Sequence, residues 1–79
     1  MVLEVRFHST LKHYAPPGSV GVMMVHMPES VTVEELLKEL NVNLKEVDDI
    51  TVNNLRSEFG RILADGDHIG VFPPNEEIG

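Results

Sequence analysis

Val31-Thr32-Val33-Glu34-Glu35-Leu36-Leu37-Lys38-Glu39-Leu40 is the stretch on which the fold turns. Val33, Leu36, Leu37 and Leu40 recur at i, i+3, i+4 and i+7, so a helix places all four on one apolar stripe. Thr32 followed three residues later by Glu35 is a capping box, in which the hydroxyl and the carboxylate each satisfy a backbone N–H at the helix start. Val31 and Leu36 stand at the positions of a hydrophobic staple. Glu34 and Glu35 suit the positive end of the helix dipole, and Lys38 lies nearer the negative end. Asn41 to Asn43 ends the helix. An amphipathic helix of this kind needs one apolar surface to pack on, and the flanking segments supply it.

On the N-terminal side Leu3, Val5 and Phe7 alternate with Glu4, Arg6 and His8, the period-two pattern of a half-buried strand. Ser9 is placed to cap a short helical turn over Thr10 to Ala15, which Pro16-Pro17-Gly18 stops. Val20 to Met27 reads as a second strand paired with the first. Both of its faces are largely apolar, so the pattern leaves open which one is buried. On the C-terminal side a polar connection from Leu44 to Asp49 leads to a strand at Ile50 to Val52. Asn53-Asn54 is a tight hairpin turn tolerant of positive φ, and a return strand covers Leu55 to Ser57. Arg61 to Ala64 is a helical or irregular turn, and Asp65-Gly66-Asp67 is a turn with solvated carboxylates. His68 to Phe72 is the last strand, with Ile69 and Val71 facing inward, and Pro73-Pro74 ends it. One helix on a mixed sheet of four or five strands is an α+β layer architecture. The chain divides into a domain over residues 1–74 and a flexible tail over 75–79.

Composition narrows the chemistry. The 79 residues include no cysteine, so disulfides, thiolate metal sites and thiol nucleophiles are excluded. Thirteen acids against six bases give a formal charge of −7, a surface that repels nucleic-acid phosphates and favours protein partners with basic patches. No apolar run approaches the length of a membrane span, and the start of the chain lacks the pattern of a signal peptide. A cytoplasmic protein without nucleic-acid or membrane partners is the expectation.

The usual catalytic constellations are missing. Ser9, Ser19, Ser30 and Ser57 sit beside turns or caps, none within Gly-x-Ser-x-Gly, and no glycine-rich phosphate loop occurs. His8, His13, His26 and His68 lack metal-ligand spacing, although His26 and His68 can share a sheet face. No metal site is assigned. What remains is the chain end. A terminal carboxylate on a glycine can enter another protein's active site, because glycine carries no β-carbon past closely approaching backbone.

Several segments resemble the small subunit of molybdopterin synthase, the MoaD type. They are Val5-Arg6-Phe7, the run Leu11 to Gly18, Thr32-Val33-x-x-Leu36-Leu37, Val52-Asn53-Asn54 where that family has Val-Asn-Gly, and above all Leu63 to Pro74 with its Asp-Gly-Asp turn and Phe-Pro-Pro. Their order and spacing cover essentially the whole chain. The resemblance implies a β-grasp, ubiquitin-like fold. The short helical segment between the first two strands favours the MoaD type over the related ThiS type.

It further implies a sulfur carrier with no tightly bound cofactor. In that family a ubiquitin-activating-type enzyme adenylates the terminal glycine with ATP. The carboxylate becomes a thiocarboxylate and delivers sulfur to a pterin precursor in the large synthase subunit. On this reading Gly79 is the sulfur acceptor, Asn75, Glu76, Glu77 and Ile78 are the threading tail, and Phe72, Pro73 and Pro74 help to dock it. The tail departs from the family pattern, which ends in Gly-Gly. Ile78 is β-branched next to the reacting carboxylate, and Glu76-Glu77 replace small apolar residues. Three readings follow: a carrier with a co-adapted partner, a form lacking the family's terminal residues, or a relative that has lost conjugation and only binds. Carriers of the thiamin and cysteine pathways are alternatives within the same family.

Overall fold

The computed structural model describes residues 1–74. Five strands form one mixed sheet: β1 (Val2–Phe7), β2 (Val22–His26), β3 (Asp49–Val52), β4 (Leu55–Ser57) and β5 (His68–Phe72). Their order is β2-β1-β5-β3-β4, and a single α-helix, α1 (Val33–Glu39), accompanies them. This is the β-grasp. The first and last strands lie side by side in parallel, Val5 beside Ile69 and Phe7 beside Val71. β2 pairs antiparallel with β1, and β3 pairs antiparallel with both β5 and β4.

Alternation decides the core. Leu3, Val5 and Phe7 of β1, Ile50 and Val52 of β3, and Ile69 and Val71 of β5 are all essentially inaccessible. Val33, Leu36 and Leu37 of α1 join them in one apolar cluster, with Leu40 packed at its margin. β2 resolves the ambiguity of its pattern toward Val25, which is buried opposite Leu3, with Met23 and Met27 packed against the core. Met24 and His26 face outward and are exposed.

The helix start has the expected chemistry. Thr32 Oγ1 accepts from Glu35 N at 3.2 Å, and Glu35 Oε1 accepts from Thr32 N at 3.0 Å. The Thr32 backbone N–H, followed by the Thr32 hydroxyl, holds the Glu35 carboxyl below the usual carboxylate range. Val31 and Leu36 are both in the core, as the staple requires. Asn41 leaves the helix at φ +60°, a left-handed conformation that asparagine tolerates. At the hairpin Asn53 and Asn54 have φ of +52° and +69°, the pair of positive values a type I′ turn needs.

Two local expectations need correction, those for Ser9 and Asp67, and the alternative left open over Arg61 to Ala64, helical or irregular, is decided. Ser9 does not cap the 3-10 segment Ser9–Tyr14: the cap position is His8, no side-chain capping bond is made to the segment's first turn, and Ser9 itself has φ +53°. Arg61 to Ala64 is irregular, not helical. Long-range backbone bonds hold that stretch against the helix start: Val33 N to Arg61 O at 3.0 Å, Glu34 N to Phe59 O at 3.0 Å, and Leu63 N to Val31 O at 2.8 Å. Asp67 is not solvated. It is buried, and its carboxylate accepts from Ala64 N at 2.8 Å and from Asn53 Nδ2 at 3.0 Å. Asn53 in turn accepts from His68 N at 3.0 Å, so the hairpin and the Asp-Gly-Asp turn clasp each other across the start of β5.

Replacing Thr32 with alanine removes the N-cap acceptor and should lower unfolding stability by about 1 kcal/mol in denaturant titrations. Glu35 has a folded pKa below its unfolded one, so its contribution is present above the ordinary carboxylate range and is lost as pH falls through the lowered value. Stability of the Thr32→Ala variant should therefore fall less steeply on acidification than that of the wild type.

Candidate functional site at the end of the central strand

β5 is the strand from which the predicted tail continues, and its last residues are fixed from both sides. His8 N donates to Val71 O at 3.0 Å, and Asp48 N donates to Phe72 O at 2.9 Å. These bonds carry the ladder to the end of the strand. Phe72 is oriented oppositely to Ile69 and Val71, toward the outer face of the sheet, yet it is only 8% exposed. Two features cover it. The His8 ring stacks on it with centroids 4.1 Å apart and planes 8° from parallel. Gly70 leaves room beneath it: a β-carbon there would stand 3.1 Å from Phe72 Cε1 and 2.5 Å from Thr51 Oγ1.

Beside this strand end lies a shallow open recess lined by Thr10, Leu11, His13, Glu46, Pro73 and Pro74. The Tyr14 hydroxyl donates to Glu46 Oε1 and accepts from Asn43 N at 3.1 Å, tying the 3-10 segment to the connection before β3. The bond to Glu46 raises the Tyr14 pKa, with the Asn43 N–H opposing it. His13 Nε2 lies 3.9 Å from the same Glu46 oxygen. The contacts of Glu46 thus tie its side of the recess to the 3-10 segment, whose Tyr14 ring also meets Phe7 at 5.7 Å.

Of the residues assigned to docking, Phe72 and Pro73 are buried and Pro74 is exposed. Asn75, Glu76, Glu77, Ile78 and Gly79 lie outside the described residues, as does the expectation of a flexible tail. His26 and His68 do occupy the same outer sheet face; His68 Nδ1 lies 3.3 Å from Glu4 Oε2 on the neighbouring strand. Among the described residues no three His, Asp or Glu side chains converge as metal ligands. Nor is any helix there long and apolar enough to cross a membrane.

Sequence reasoning gives His8 only an outward position in the alternation of the first strand, and assigns no role to Gly70 or to the Tyr14–Glu46 pair. Parity held the signal for the first two. His8 follows Glu4 and Arg6 on the outward face of β1, and Phe72 follows His68 and Gly70 on the outward face of β5. Recognising that these rows adjoin requires the parallel register, which the two strands do not encode locally.

With this geometry in hand, the comparisons with known proteins converge. The sequence profile of the family described as Mut7-C ubiquitin matches residues 1–79, and the chain belongs to that family. It is a ubiquitin-like protein, and its likeness to MoaD-type small subunits extends to solved structures. A Pyrococcus furiosus protein described as molybdopterin converting factor subunit 1 is 26% identical, with a TM-score of 0.73 over 94% of this chain and 98% of that one. A Helicobacter pylori complex of subunits 1 and 2 of molybdopterin-converting factor contains a chain 26% identical, TM-score 0.62, covering 98% of this chain and 99% of that one. Small archaeal modifier protein 1 of Haloferax volcanii shares the fold at 20% identity, TM-score 0.74, over 92% of this chain and 97% of that one. No curated protein matches in sequence.

Gly70→Ala should test the packing at the strand end. The added methyl meets Thr51 Oγ1 and the Phe72 ring and should cost about 1–3 kcal/mol of stability, the usual range for overpacking. Combining it with Thr51→Ala removes the closer of the two clashes and should recover part of that loss, measured by a double-mutant cycle in denaturant.

Proposed function

We propose that this chain is a sulfur carrier of cofactor biosynthesis, working through its terminal carboxylate and not through a side chain. Gly79 is the reacting residue. An adenylating enzyme of the ubiquitin-activating type joins the Gly79 carboxylate to the α-phosphorus of ATP, releasing pyrophosphate and leaving the carboxylate as its AMP anhydride. A sulfur donor then displaces AMP to leave the thiocarboxylate, and the acceptor is the large subunit of molybdopterin synthase or an equivalent enzyme handling a tungstopterin. The observation that carries this reading is the strand end. β5 runs through the centre of the sheet to Phe72, Pro73 and Pro74, where backbone bonds and the His8 stack give the following residues a fixed point of departure. A protein substrate presented to a deep active site needs such a rigid base, since ordering it on binding would cost affinity. Membership of a ubiquitin-like family, and likeness to a subunit 1 that in Helicobacter pylori is complexed with a subunit 2, support the same reading. Asn75, Glu76, Glu77 and Ile78 thread the partner's channel, and Pro74 sits at its mouth.

A second reading rests on Ile78. A β-branched residue cannot adopt glycine-only backbone, so a channel shaped for Gly-Gly would refuse it, leaving a ubiquitin-like module that binds without being converted. Carriers serving thiamin or cysteine synthesis fall under the first reading with a different acceptor.

Incubation with a cognate adenylating enzyme, ATP and a sulfur donor, followed by intact mass measurement, separates these. Exchange of one oxygen for sulfur at Gly79 is the expected result, and deletion of Gly79 should abolish it. Conversion seen only in Ile78→Gly would identify a carrier that has lost function. No conversion in either protein would leave the binding module standing.

A further inference from the structure

The two edges of the sheet are treated differently. β4 is three residues long and carries Arg56, whose Nε lies 3.7 Å from Asp49 Oδ1; a short, charged edge resists pairing with another strand. β2, at the opposite edge, is Val22-Met23-Met24-Val25-His26, five residues without proline, lysine or acid. From His13 to Pro28 the chain contains no Asp, Glu, Lys or Arg, although the whole carries −7.

The register shows which backbone groups this edge offers. Phe7 N donates to Gly21 O at 2.7 Å, Met27 N donates to Met1 O at 2.9 Å, and the Met1 amino group donates to Met27 O at 2.7 Å. Antiparallel pairs alternate between hydrogen-bonded and non-bonded, so Gly21, Met23, Val25 and Met27 are the residues that bond to β1. Val22, Met24 and His26 direct their backbone groups to the open edge. Val22 N is already engaged with Ser19 O at 3.1 Å. Met24 N–H and C=O, His26 N–H and C=O, and Val22 C=O are therefore the donors and acceptors on offer, a set that another extended strand matches.

We infer that β2 pairs with β2 of a second copy of this chain, antiparallel about a two-fold axis through Met24. The pairing is self-complementary. Met24 N–H donates to Met24 C=O of the other copy, and His26 N–H donates to its Val22 C=O, each bond occurring twice by symmetry. On the outer face the two Met24 side chains, each 60% exposed in the single chain, cover one another. On the inner face Met23 meets Val25 of the other copy and continues the apolar layer. A second copy fits this edge better than a basic peptide because the edge is uncharged: it is where two chains of −7 can meet without opposing their acids, and it gives a cationic peptide nothing to pair with.

The test is sedimentation of the full chain from micromolar to millimolar concentration in low and high salt, with amide hydrogen exchange under the same conditions. A monomer–dimer equilibrium should appear and should strengthen with salt, because salt screens the mutual repulsion of the two acidic bodies. The Met24 and His26 amides should gain protection with concentration, while Met23 and Val25 are protected throughout. Met24→Pro removes the edge N–H without touching the ladder to β1, and Met24→Lys places charge at the axis; both should remain monomeric, with circular dichroism confirming that they fold. A wild type that stays monomeric throughout overturns the inference. So does a dimer whose Met24 and His26 amides gain no protection, or one that survives in a folded Met24→Lys variant. Association only with an added basic peptide, weakened by salt, would give the edge to a different partner and equally overturn it.

Discussion

Parallel pairing of the first strand with the last, Val5 beside Ile69 and Phe7 beside Val71, closes the apolar layer against which α1 packs. β1 brings β2 to one side, β5 brings β3 and β4 to the other, and neither hairpin has a core of its own until the two join. Two-stranded hairpins are marginal in water, and a sheet of three or more strands with a covered face is needed for stability. The contact spans nearly the whole chain, so its loop-closure cost is among the largest in the fold. The clasp of Asp67, Asn53 and the His68 N–H serves the same junction, because it holds the β3–β4 hairpin against the start of β5.

The same pairing makes β5 a central strand buried on both faces. Ile69 and Val71 lie in the core, while Gly70 and Phe72, on the outer side, are covered by Thr51 and by the His8 ring. A side chain at Gly70 would lift Phe72, and with it the surface on which His8 rests. Rigidity at the strand end therefore follows from packing in the centre of the sheet, and the recess beside it inherits that rigidity through Tyr14 and Glu46.

Local signals carried much of this. The i, i+3, i+4, i+7 stripe and the Thr32–Glu35 box lie within one helix, and the double asparagine turn lies within one hairpin, so their physics is contained in adjacent residues. Alternation in β1 and β5 likewise fixed their inner faces. What stayed illegible depended on partners distant in sequence. Phe59 to Leu63 has no pattern of its own, because its backbone bonds run to Val31, Val33 and Glu34. Asp67 reads as a solvated turn residue until Asn53 is brought to it. The buried face of β2 was undecidable from a strand apolar on both sides, and only Leu3 opposite Val25 settles it. The resemblance to a known family supplied the β-grasp fold as a whole, but not the register between its distant strands.

An apolar, uncharged β2 is costly for a small acidic domain if it serves nothing, since exposed edges of this kind invite association. Its inner residues are needed for the core, but Met24 and Val22 are not, and a lysine at either position would have blunted the edge as Arg56 does at β4. Position in the sheet makes the two ends of the molecule compatible. β2 is separated from β5 by β1, so a strand added at the edge would extend the sheet away from Phe72 and Pro74. A pair joined through β2 would thus present two strand ends and two recesses, each as open as in the single chain. Pairing at the edge would then leave the strand end itself unchanged, and a partner engaging that end would meet it in duplicate.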